Sequence, residues 1–215
     1  MMMYALRPRG RQFTLRIAVA CVLALVHGAA CAVRPMTVDD ANVDSYGQGH
    51  VDAWFGTAPG GVRGWTVVPD WVPAEGSEID GTLTRDVAAR VTGVGLQFKR
   101  LFAAPAERGC NSAGSAALTR YDGPAGSVPQ LNAIVTCNGA GQSVHGNVGV
   151  LRMQGAVKAT WGVAWERSLG AWSANVEAFG LQGSKPAWQA GLRSTAGRWL
   201  VNTALGRSGG EWLWS

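Results

Sequence analysis

The chain has 215 residues, enough for one domain of moderate size, with 30 glycines, 10 tryptophans and only 15% charged residues, where an ordinary soluble domain carries about 25%. That mixture argues against a disordered chain and against a typical helical enzyme. The formal charge of +5 is no nucleic-acid footprint: residues 1–32 hold four of the 19 Lys and Arg and none of the 14 acids, so the rest carries 15 against 14, or +1, with no basic patch interleaved with aromatics.

Residues 1–32 read as a secretory signal peptide. "MMMYALRPRGRQFTLR" is a basic start, "IAVACVLALV" (17–26) is an apolar run too short to span a bilayer as a helix, and "HGAACA" ends in a small-x-small site, so cleavage is expected after Ala32. The alternatives, a retained anchor helix and a lipoprotein through Cys21 or Cys31, fit less well. Export leaves two cysteines, Cys110 and Cys137, and an even count in an oxidising compartment favours a disulfide over two buried thiols.

Residues 33–48 show no periodicity and predict an extended N-terminal segment. From residue 49 on, apolar residues recur with period two, interrupted every eight to twelve residues by Gly, Pro, Asn or Ser. Irregular strands are expected near 50–55, 64–71 and 78–86. "VTGVGLQFKRLF" sets Val94, Leu96 and Phe98 against Gly93, Gly95, Gln97 and Lys99. A weak strand is expected at 115–121 and another at 129–137. "SVHGNVGVLRM" sets Val144, Val148 and Val150 against His145, Asn147 and Gly149. Residues 156–167 put Val157, Trp161, Val163 and Trp165 on one face and Lys158, Thr160, Gly162 and Glu166 on the other; residues 171–181 put Trp172 and Val176 opposite Ser173, Asn175 and Glu177. With "RSLG" as the turn, Trp165 pairs with Trp172 and Lys158 lies diagonally from Glu177. "WQAGLRS" sets Trp188 and Leu192 against Gln189 and Arg193, and "RWLVNTALG" sets Trp199, Val201 and Leu205 against Asn202 and Gly206. That makes eleven strands, with "EWLWS" as the stub of a twelfth. Short turns make neighbours antiparallel.

Such strands suit a soluble barrel with its apolar face inward, or an outer-membrane barrel with that face toward lipid. The small, weakly charged second face, strands of nine to twelve residues, and tryptophans near strand ends favour the membrane. The fold class expected is therefore all-β: an antiparallel up-and-down transmembrane β-barrel of about 12 strands over residues 49–215. Candidates for the lumen are Gln97, Lys99, His145, Asn147, Lys158, Glu166, Asn175, Glu177, Gln189 and Arg193. Candidate interface aromatics are Trp165, Trp172, Trp188 and Trp199. If both chain ends are periplasmic, the turns at 138–141, 167–170 and 195–198 are too. Cys110, at the start of the fifth strand, and Cys137, at the end of the sixth, then meet at that end.

"RPMTVDDANV", "HVDAW", "GLQFKRLF", "VHGNVGVLR" and "WGVAWE…VEAFG…PAWQAGLRS" together resemble a family of Gram-negative outer-membrane β-barrels related to proteins of meta-pathway phenol degradation and aromatic uptake. The resemblance runs over most of residues 34–207. It implies a channel or transporter in outer-membrane lipid, inserted by the barrel-assembly machinery, without catalytic residues. Such barrels usually close with a full strand ending in an aromatic residue, whereas here Trp214 is penultimate, and the last strand reads as truncated.

Little chemistry is expected. Ser143 and His145 lie two apart on one strand without a nucleophile elbow, so His145 reads as a polar lumen residue rather than a lipid hydrolase's base. Asp39, Asp40 and Asp44 lack calcium-loop spacing and read as a solvated acidic segment. "GTAPGG" and "GVGLQ" have no phosphate-loop lysine. No metal, cofactor or nucleic acid is expected. The reading is a non-enzymatic outer-membrane barrel acting as a narrow passive channel for small-molecule cargo or as a structural envelope protein. The alternatives are a soluble periplasmic barrel with an apolar ligand inside, and a lipid-processing barrel enzyme.

Overall fold

The computed structural model describes residues 36–104, 107–197 and 199–215; residues 1–32, expected to be a signal peptide, lie outside the described residues. Twelve strands follow one another: β1 (Val51–Ala58), β2 (Val62–Ala74), β3 (Ser77–Asp86), β4 (Val91–Leu101), β5 (Gly109–Tyr121), β6 (Ser127–Gly139), β7 (Gln142–Met153), β8 (Ala156–Leu169), β9 (Trp172–Leu181), β10 (Ala187–Ala196), β11 (Trp199–Ser208) and β12 (Glu211–Trp214). They form one sheet in chain order, each strand antiparallel to the last.

The sheet curls until its two ends meet. The Trp214 backbone N–H donates to Thr57 Oγ1 (2.9 Å), the Phe55 and Trp214 rings lie 5.7 Å apart, and the Arg63 guanidinium stands 5.8 Å from each ring. Gly56 faces the Trp214 carbonyl so closely that a Cβ there would collide with it. β12 covers only the Leu205–Ser208 half of β11, so the result is a nearly closed, all-β, up-and-down barrel of 12 antiparallel strands.

Alternation decides what faces where. On β8 the odd positions Val157, Trp161, Val163 and Trp165 are exposed, while Gly162 and Ala164 are buried and Glu166 is half-buried. The same holds around the sheet, and every strand presents at least one exposed large apolar side chain on its outer face, from Phe55 on β1 through Leu96, Leu131 and Val176 to Trp212 on β12. The inner face is polar: Asp52, Glu78, Lys99, Thr136, His145, Asn175, Glu177 and Gln189 are buried. Apolar groups inside are few. Met36, Val38 and Ala164 pack with Phe179, and Ala41, Ala113 and Ile134 pack with Leu101.

One register differs from expectation. Trp165 pairs with Val176, not Trp172, and Leu169 pairs with Trp172 across a turn at Gly170 and Ala171. Gly170 has φ 72°, and a two-residue hairpin turn with glycine at its first central position places the corner there rather than at Arg167–Gly170. The slip is an even number of residues, so both faces keep their sense. The diagonal contact of Lys158 with Glu177 is lost, because Glu177 stands opposite Ala164 while Lys158 stands opposite Leu151.

Candidate functional site

The interior is occupied by the chain's own N-terminal segment. Residues 36–42 run along the inner wall of β4–β9 and are gripped through their backbone. Glu177 accepts two N–H bonds, from Thr37 at Oε1 (3.1 Å) and from Val38 at Oε2 (2.8 Å), and also accepts from the Gln189 side-chain amide. Asn147 clasps Asp39 at two points: its Oδ1 accepts from the Asp39 N–H (2.7 Å) and its Nδ2 donates to the Asp39 carbonyl (2.8 Å). Thr136 Oγ1 accepts from the Ala41 N–H (2.8 Å), and Asn111 Nδ2 donates to the Ala41 carbonyl (2.5 Å). Unpaired backbone groups away from water are costly; here wall side chains satisfy those an isolated extended segment would leave open. Gly162 makes room, since a Cβ there would come within 2.7 Å of Val38.

All ten residues read as lumen candidates face this interior. Glu177, Asn147, Lys99 and Gln189 belong to the grip just described or to its immediate support. Gln97 donates to Asp80 (2.7 Å), and Arg193 pairs with Glu166 (3.3 Å). His145 Nδ1 lies 2.9 Å from the Thr136 hydroxyl, and Ser143 donates to Asn138 rather than meeting His145. Asn175 is buried beside Gly191, and Lys158 lies half-buried on β8. The acidic segment is not uniformly solvated: Asp39 receives the Lys99 ammonium at 3.0 Å.

Where the segment leaves the barrel it is tied by a histidine among carboxylates. His50 Nδ1 lies 2.7 Å from Asp70 and 3.1 Å from Asp44, its Nε2 lies 3.6 Å from Asp52, and its backbone N–H donates to Asp70 (3.0 Å). Burial pulls the imidazolium down, but the bonds to Asp44, Asp52 and Asp70 outweigh it and push its pKa up to about 12. The same hydrogen bond holds the Asp44 carboxyl below its ordinary value. Sequence reasoning missed Asp52, Asp70, Glu78 and Asp80. Their signal was acidic residues at inward positions of strands whose other face is apolar.

Of the aromatics read as interfacial, Trp172 and Trp199 open β9 and β11 at the barrel end that carries the β8–β9 and β10–β11 turns. Trp165 lies four residues inside that end and donates to Gln142 Oε1 (3.1 Å), and Trp188 sits at the opposite end. Cys110 and Cys137 face each other across β5 and β6 and are bonded.

These features define a class: an antiparallel β-barrel of 12 strands, apolar outside and polar inside, with a segment of its own chain packed within it. Comparison with protein-family models, curated proteins and solved structures finds no match.

Proposed function

We propose that the protein is an outer-membrane β-barrel, a narrow passive channel held shut by residues 36–42. One observation carries the reading: exposed apolar side chains on the outer face of all twelve strands surround a polar interior. In water such a surface is a liability; in hydrocarbon it is the expected lipid-facing band of a closed sheet. The inverted arrangement, an apolar cavity inside a polar shell, would suit a soluble carrier, and the faces run the other way.

The resemblance to barrels of the phenol-degradation and aromatic-uptake group is part of the same proposal, and it rests on strand patterns over residues 34–207. So are the partners: outer-membrane lipid along the band, the assembly machinery during insertion, no nucleic acid, and a small solute when the lumen is free. The protein is not an enzyme in this reading.

The test is fractionation of cells expressing the full chain. It should pellet with outer-membrane vesicles and migrate faster on a gel when unboiled than when boiled. Release as a soluble species in periplasmic extract would overturn the proposal.

A further inference from the structure

The wall beside the exit of the N-terminal segment carries an unbalanced set of charges. Asp44, Asp52 and Asp70 surround His50, and next to them Glu78 and Asp80 share Lys99 with Asp39. Six carboxyl groups thus face two basic side chains, mostly out of water. One acceptor is left over. Asp80 is 6% exposed; its Oδ2 accepts from Gln97, but among the described residues its Oδ1 is buried with no hydrogen-bond partner. Asp80 stands directly across the β2–β3 ladder from Asp70, on the same inward face.

We infer that Asp44, His50 and Asp70 form a binding site for one divalent transition-metal ion of the Zn2+ or Mn2+ type, with Asp80 beside them, directly across the ladder from Asp70 on the adjacent strand. One ligand atom from each of the three residues lies within 4.8 Å of the others, close enough for a single ion with small adjustments of side chains. An imidazole nitrogen with carboxylate oxygens suits Zn2+ and Mn2+ better than Ca2+, which takes six to eight oxygens. Binding displaces the imidazolium proton of His50, so the ion adds one net positive charge to a cluster rich in carboxyl groups.

The site spans two parts of the molecule. Asp44 and His50 belong to the N-terminal segment; Asp70 and Asp80 belong to β2 and β3. A bound ion therefore staples the exit of the segment to the wall. This inference rests on the packed segment and not on the membrane reading, so metal binding can succeed or fail independently of fractionation.

The experiment is calorimetric titration of the full chain, folded in detergent, with Zn2+, folding being verified by the β-sheet circular-dichroism signal. One ion should bind per chain, Mn2+ should compete, and equimolar Ca2+ should not. His50→Gln and Asp70→Asn should weaken Zn2+ at least 100-fold and Asp80→Asn 10- to 100-fold, while Glu211→Gln, an exposed acid elsewhere, leaves binding unchanged. Asp44 lies at the exposed edge of the cluster, so Asp44→Asn serves if a buried variant fails to fold, and it should also weaken binding. No Zn2+ bound to the wild type, wild-type affinity in both Asp44→Asn and Asp80→Asn, or displacement of Zn2+ by equimolar Ca2+ would each overturn the inference.

Discussion

Glu177 is 1% exposed inside a barrel, yet it is not a stranded charge. Two backbone N–H groups and one amide point at it, and bonds to a buried ion are stronger than neutral ones. Glu177→Ala leaves Thr37 and Val38 without acceptors and should loosen the segment by about 3 kcal/mol. Limited proteolysis of the folded barrel would show this as new cleavage before residue 44. His50 gives a pH signature. Its folded pKa lies above the ordinary 6.5, so its contribution to stability is full below that value and is lost as pH rises toward about 12. In chelator-treated protein, the urea midpoint should fall between pH 6.5 and 9, and His50→Gln should flatten that slope. His145→Ala should leave lipid A and phospholipid profiles unchanged, as a polar interior residue would. The ten interior positions were legible because alternation alone places them. The segment that Glu177 and Asn147 hold was not, because they hold its backbone, and N–H and C=O groups are the same for every residue and leave no side-chain pattern.

Strand boundaries were readable where a strand alternates strongly, and lost where it does not. β5 begins at Gly109, although only 115–121 shows apolar spacing, since Asn111, Ser112, Ala113 and Gly114 are too small or polar to mark a face. β2 and β3 are blurred by Pro69, Pro73 and a register shift between Trp71 and Ala74, so alternation assigned the acidic residues on them to neither face. The β8–β9 pairing turned on one residue, Gly170. The disulfide joins β5 to β6 over a sequence separation of 27, and closing a loop of that length restrains the unfolded chain by about 3.5 kcal/mol in the chain-entropy model. Cys110→Ser with Cys137→Ser should lower the denaturant midpoint while keeping the gel shift of the folded barrel. Gly162→Val, by contrast, should leave the wall intact and push Val38 away, making the segment protease-sensitive as Glu177→Ala does.

For the whole molecule, the direction of the outer band is the quantity to test. Leu96 is 62% exposed in the middle of β4. On a water-facing sheet Leu96→Arg would change stability little; on a lipid-facing one near the midplane it should cost about 2–4 kcal/mol, read as a lower urea midpoint in lipid vesicles. In planar bilayers the wild type should pass little current, and deletion of residues 36–42 should raise it severalfold. The placement of that segment also orders events in time. Its partners lie 60–140 residues downstream, from Lys99 on β4 to Glu177 on β9, so the part of the chain made first finds its full seat only after most of the wall exists. The barrel must wrap around its own beginning. Weakening the seat at Glu177 should therefore speed unfolding and leave the folding rate nearly unchanged, the mark of a contact formed after the rate-limiting step.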